Sequence, residues 1–287
     1  MHIVYRVALV LASATAFTAT AAAQFEIGGY YGHAYYMGDL ERDSEYSPLP
    51  VGNGHRAFGG YARYFVNDRI ALNGSAMATT IEGSDDKRAG SRTRNLSFFS
   101  RLYEVGISGE YYPFGAERSI APYVTLGGAF YRFNPKTRFN GRTVELQPLG
   151  TEGQGAAGYG PRYSLNRFAV PLGAGTRIAF GRSWVIGVEA KLRMTFFDHL
   201  DDVSGGYVNY YELVQSNGSL AAELANRTHQ LTGTEPLDLP TGTQRGNPAN
   251  FDYYMSVGLT VGYRLGSGAF GAGGGRDASR YNKCYQF

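Results

Sequence analysis

The chain has 287 residues and a formal net charge of +3, with basic residues scattered along it rather than striped, which sets nucleic acid aside as a partner. Glycine at 40 positions, tyrosine at 23 and phenylalanine at 17 give a mix of small and aromatic residues that suits barrel walls and excludes a collagen-like or disordered chain. The single cysteine, Cys284, excludes an internal disulfide framework and a cysteine metal cluster.

Arg6, an apolar run from Val7 through Phe17, and Ala21-Ala22-Ala23 before Gln24 have the layout of a secretory signal cleaved after Ala23. No later run approaches the ~20 apolar residues of a membrane helix, so an exported chain of this pattern is either soluble or a β-barrel. The domain plan is a signal peptide at 1–23, a barrel at 24–265 and a tail at 266–287.

From Phe25, Ile27, Tyr31, Tyr35 and Met37 alternate with Glu26, Gly28, Gly32 and Ala34, the period of a first strand. After a polar loop, Phe58, Gly60, Ala62, Tyr64 and Val66 alternate with Ala57, Gly59, Tyr61 and Arg63, and this strand ends at the tight turn Asn67-Asp68-Arg69. The third strand spans Ile70 to Thr80 and empties into a charged loop. The fourth begins near Leu96, setting Tyr103, Val105, Ile107 and Tyr111 against Glu104, Gly106, Ser108 and Glu110, and stops at Pro113-Phe114-Gly115. The fifth covers Pro122 to Phe133, followed by a long loop from Asn134 to Asn166.

Phe168 to Phe197 reads as a long hairpin about Gly181-Arg182-Ser183. Its second arm alternates Trp184, Ile186, Val188, Ala190, Leu192, Met194 and Phe196 with Gly187, Glu189, Lys191, Arg193 and Thr195. Such arms match the ~9–11 tilted residues that cross a bilayer better than the ~5–6 of a globular strand. The longest insert follows, up to Asn250, with a short helix expected between Tyr210 and Asn226. The last strand carries Tyr253, Met255, Val257, Leu259, Val261, Tyr263 and Leu265 on one face.

The connections run long and short in strict alternation, as periplasmic turns and external loops do in outer-membrane barrels, whereas a soluble sandwich has no reason to do so. The fold class is therefore all-β: a transmembrane antiparallel β-barrel of about eight strands in the cell outer membrane, with short periplasmic turns, long extracellular loops and both termini periplasmic. Outer-membrane lipids are then its surroundings.

With the apolar parity on lipid, the lumen receives Arg63, Glu104, Glu110, Arg177, Glu189, Lys191, Arg193 and Arg264, which are expected to pair and fill a barrel of this size. At the exit of the seventh strand, Asp198-His199-Leu200-Asp201-Asp202-Val203-Ser204-Gly205 has carboxylates suited to a hard cation, but a solvated Asx-rich turn explains the spacing and no metal is assigned. His33 with a nearby hydroxyl lacks a Gly-x-Ser-x-Gly elbow or a paired base, so no enzyme and no cofactor is expected. The tail carries Arg276, Arg280, Lys283 and Tyr285, which suit either a linker or a docking peptide that orders on a partner. A small porin or passive uptake barrel competes with a structural role.

Several stretches carry a resemblance: G-G-Y-Y-G-H-A-Y-Y-M-G-D-L at Gly28 to Leu40, N-L-S-F-F-S-R-L-Y-E-V at Asn95 to Val105, V-E-L-Q-P-L-G-T-E-G-Q-G at Val144 to Gly155, and F-F-D-H-L-D-D-V-S-G-G-Y at Phe196 to Tyr207. They resemble the PorG-like outer-membrane barrels of Bacteroidota, components of the type IX secretion system. The resemblance implies a non-enzymatic barrel that helps anchor a periplasmic ring of lipoprotein and partner subunits. The resemblance assigns no role to the insert between Asn209 and Asn250.

Overall fold

The computed structural model describes residues 25–40, 54–87, 93–181 and 183–265. The expected signal peptide at 1–23 and the tail with Arg276, Arg280, Lys283 and Tyr285 lie outside the described residues. The strands are β1 (Phe25–Met37), β2 (His55–Phe65), β3 (Ile70–Ser84), β4 (Ser97–Tyr111), β5 (Ile120–Arg132), β6 (Pro135–Phe139), β7 (Arg142–Glu145), β8 (Asn166–Phe180), β9 (Trp184–Met194) and β10 (Tyr253–Leu265). Eight of them close into a wall in the order β3-β2-β1-β10-β9-β8-β5-β4, sealed by the β3–β4 pairing, and every pairing is antiparallel. Closure leaves no open edge, as a membrane requires where water cannot satisfy backbone groups.

Alternation gives each strand an apolar outer face and a polar or aromatic inner one. Ile107 and Phe130, 70% and 67% exposed, are typical of the outer face, whereas Arg63 opposite is 1% exposed. Aromatic pairs ring the two ends of the apolar band: Phe25–Tyr64 and Trp184–Tyr263 on the short-turn side, Tyr31–Phe58 and Phe130–Phe168 on the long-loop side. Rings at these levels sit where hydrocarbon meets headgroups.

The short turns are knit together. Asn67 accepts hydrogen bonds from the amides of Arg69 and Ile70 at 2.8 and 2.9 Å, and the Asp68 carbonyl takes the Ala116 amide at 2.6 Å, joining the first turn to the second. Gly115, at φ +90° and close against the Asp68 carboxylate, occupies a left-handed position that a side chain would strain.

Several elements differ from the sequence reading, the fifth strand among them at Ile120–Arg132. β3 continues past Thr80 to Ser84 because Ile81 is fully buried and the strand stays paired with β4 up to Ser84–Ser97. The second arm of the central hairpin stops at Met194, since Phe196 turns to φ +51° and leaves the sheet. The loop after β5 holds the β6–β7 hairpin, which extends β4 on the long-loop side. In the last insert the expected helix is two, α1 (Tyr210–Asn217) and α2 (Ser219–Ala225), broken at Gly218 with φ +94°, followed by a single turn, α3 (His229–Thr232).

Candidate functional site

The interior is built in tiers. On the periplasmic side, register places Glu26 directly opposite Arg63, and Arg63 divides its guanidinium: Nη1 donates to Glu26 at 2.5 Å, while Nε and Nη2 donate to Glu110 at 2.6 and 3.0 Å. Glu110 also accepts from Asn73 at 2.6 Å and Tyr112 at 2.5 Å, and Glu26 from Tyr61 at 3.0 Å and from Arg177. Arg177 lies over the Phe65 ring at 4.6 Å, above a floor of Phe65, Ala71, Tyr112, Ala116, Ala121 and Tyr123. Gly28 is required here, because a Cβ would stand 2.5 Å from the Tyr61 ring that crosses the lumen.

The middle tier holds two further pairs. Lys191 meets Glu189 at 2.9 Å, and Tyr123 donates to the same carboxylate at 2.7 Å. Arg193 grips Glu104 with Nε and Nη2 at 3.0 and 3.1 Å, and Tyr254 donates to Glu104 at 2.5 Å. Beside them is a cavity of about 30 Å³ lined by Tyr30, Met77, Glu104, Glu189, Lys191 and Arg193, space on the scale of a water molecule.

Seven of the eight residues assigned to the lumen from sequence are thus buried there and bonded. Arg264 is only half-buried, opposite Glu26 in register at the periplasmic rim, and makes no ion pair among the described residues. Glu26 was missed, although its parity with Gly28 and the charge of Arg63 were both visible. Its addition balances the buried set: Glu26, Glu104, Glu110 and Glu189 against Arg63, Arg177, Lys191 and Arg193.

Above the wall the external loops form a packed cap. Tyr36, Phe98, Leu102, Phe133, Phe197 and Leu200 belong to one buried apolar cluster at the extracellular end of the wall. Asp201 and Asp202, read from sequence as a solvated turn, are 1% and 0% exposed, a correction that follows from the chain folding the exit of β9 under the other loops. Thr151 and Tyr163 donate to Asp202 at 2.6 Å each, and Arg245 joins the Asp202 carbonyl at 2.6 Å to Glu152 at 2.8 Å. Glu152 accepts the amides of Ser204 and Gly205. Against a burial that would raise it, His199, Arg245 and the Ser204 amide hold Glu152 down at about 2.

Tyr36 sits between two carboxylates, 2.7 Å from Asp201 and 2.8 Å from Asp252. Burial raises both acids and the charge of Asp201 raises Asp252 further, which fits a shared proton, since one hydroxyl donates to only one of them. Burial also pushes Asp198 up to about 6. Among the described residues no three of His, Cys, Asp and Glu converge as a metal set. His33 faces outward on β1, with Nδ1 3.0 Å from the Gly54 carbonyl.

Among solved structures, this chain is similar to Neisserial surface protein A at 10% identity and a TM-score of 0.41, over 84% of this chain and 97% of that one. It is similar to the attachment invasion locus protein Ail of Yersinia pestis at 11% identity and 0.38, over 83% and 96%. The outer membrane protein OprG of Pseudomonas aeruginosa gives 11% and 0.39, over 83% and 94%. No curated protein matches the chain. Residues 6–211, more than half of the sequence, match the family described as outer membrane protein beta-barrel domain. The closed eight-stranded wall and that match together make this chain a member of the outer membrane β-barrel family, resident in the outer membrane.

Proposed function

We propose that this barrel is a component of the type IX protein secretion system that anchors or organises the periplasmic lipoprotein-containing ring at the outer membrane. The observation that carries the reading is the filled lumen: two tiers of acid–base pairs under an aromatic cluster support a membrane anchor over a conduit. The identity of the machine is supported by the PorG-like resemblance. Its two most specific blocks, Leu146 to Gly155 and Asp198 to Gly205, bond to each other through Thr151–Asp202 and Glu152–Ser204. A partner on the periplasmic side would meet the knitted turns at 67–69 and 113–119, and the tail with Arg276, Arg280, Lys283 and Tyr285, which follows β10 at that end.

Affinity purification in gentle detergent tests this. A ring lipoprotein is expected to co-purify with the full chain, to be lost on deleting Gly268 to Phe287, and to persist when Leu213→Ala loosens the cap. Heat-modifiable migration checks that each variant is folded. No ring subunit with the full chain would sink the secretion role, and full recovery by a folded tail deletion would remove the tail from the contact.

A further inference from the structure

The outward faces of the wall strands are not equivalent. Every outward residue of β8, β9 and β10 is uncharged, yet arginine faces outward on β2, β4 and β5 at Arg56, Arg101 and Arg132, all exposed. Register groups the three. Ala78 is opposite both Phe58 and Tyr103, and Thr80 is opposite Arg101, so Arg56, two residues beyond Phe58, stands level with Arg101 across β3. Arg132 is opposite Tyr103, a diagonal neighbour of Arg101. With strands ~4.8 Å apart and diagonal neighbours ~7–8 Å apart, the three guanidiniums can reach one headgroup.

None of the three makes an ion pair among the described residues, while the nearby acids are engaged: Glu82 with His55 at 2.9 Å and Glu145 with Lys136 at 2.7 Å. Arg101 lies ten residues along β4 from Tyr111 at the periplasmic ring, which at ~3.4 Å per residue and a tilt of ~40° puts it about 25 Å higher, at the outer edge of the apolar band.

Directly beneath, on the same strands, lies an open apolar groove of about 820 Å³ bordered by Gly60, Ala62, Gly74, Ala76, Val105 and Phe130. A Cβ on Gly60 or Gly74 would meet nothing nearer than 3.6 or 4.0 Å. The fold therefore does not need glycine at these two positions, although glycine weakens a strand; its effect is to leave a trough on the lipid side.

We propose that this face binds one phosphorylated anionic lipid of the outer leaflet, with the phosphate on Arg56, Arg101 and Arg132 and an acyl chain in the groove. Cations with no ion pair among the described residues, set above an apolar trough, complement that amphiphile, and the guanidinium fork matches phosphate oxygens.

The test is native mass spectrometry of the folded protein ejected from phosphatidylcholine nanodiscs containing either phosphatidic acid or diacylglycerol. Wild type is expected to retain phosphatidic acid about tenfold better than diacylglycerol, the scale of three partly exposed charge contacts together. Combined Arg56→Gln, Arg101→Gln and Arg132→Gln should erase that preference, and Gly60→Leu with Gly74→Leu should lower retention severalfold with the arginines intact. Equal retention of the two lipids by wild type, a comparison that needs no variant, overturns the proposal, as does an undiminished preference in the folded triple variant. Unchanged retention with the trough filled overturns the groove as the acyl site.

Discussion

Glu110 holds one end of a chain of charges, Glu110–Arg63–Glu26–Arg177, in which two carboxylates balance two guanidiniums out of reach of water. Glu110→Gln removes one charge and leaves Glu26 alone to serve both arginines. An uncompensated buried charge of this kind costs ~3–5 kcal/mol. Arg63→Met strands Glu110 instead and should cost about as much. With both changes the Glu26–Arg177 pair remains neutral and only hydrogen bonds are lost, so the double variant should lose less than either single one, a coupling of at least ~3 kcal/mol. Equilibrium urea unfolding from lipid vesicles measures it, with the sole tryptophan, Trp184, as the fluorescent reporter on the lipid side of the periplasmic rim. Losses that simply add, to within ~0.5 kcal/mol, would show that Glu110 and Arg63 do not compensate each other's buried charge.

Val188, near the middle of β9 and facing lipid, should not accept arginine: Val188→Arg is expected to cost ~2–4 kcal/mol and to slow assembly into vesicles, and assembly at the wild-type rate and stability would reverse the facing assignment. The cap should loosen as pH rises. Asp198, Asp201 and Asp252 titrate above the ~3.9 of an unfolded aspartate, so the stability they contribute is fully present below that value and is lost as pH climbs through about 6 and beyond. Hydrogen exchange at the Leu200 and Val203 amides, bonded to Asp252 and Asp201, should be faster at pH 8 than at pH 5.5 after correction for intrinsic rates, and Asp252→Asn should flatten the difference; an unchanged or reversed profile counts against the shared proton.

The wall was legible because a barrel strand states its two faces residue by residue, and a run such as Trp184 to Met194 admits only one assignment of sides. The β6–β7 hairpin was not read, since Lys136, Arg138 and Arg142 break any apolar period. Its signal was the Asn140-Gly141 dipeptide, both residues at positive φ, a tight two-residue hairpin turn. Glu26 escaped because a lone acid near a strand end acquires its meaning from the strand beside it, and Arg63 is 37 residues away along the chain. The cap was harder still. Tyr36, Asp201 and Asp252 come from three separate segments, and nothing local in an aspartate-rich stretch distinguishes a buried, tyrosine-bonded carboxylate from a solvated one.

Single-channel recording on the purified, folded protein in planar bilayers asks whether the paired charges and the aromatic cluster close the lumen. No steady current is expected at neutral pH under moderate voltage, because the buried Arg193–Glu104 and Arg63–Glu110 pairs occupy the lumen at two levels. A reproducible open conductance from protein shown to be folded by its heat-modifiable migration would contradict it and turn the barrel into a conduit.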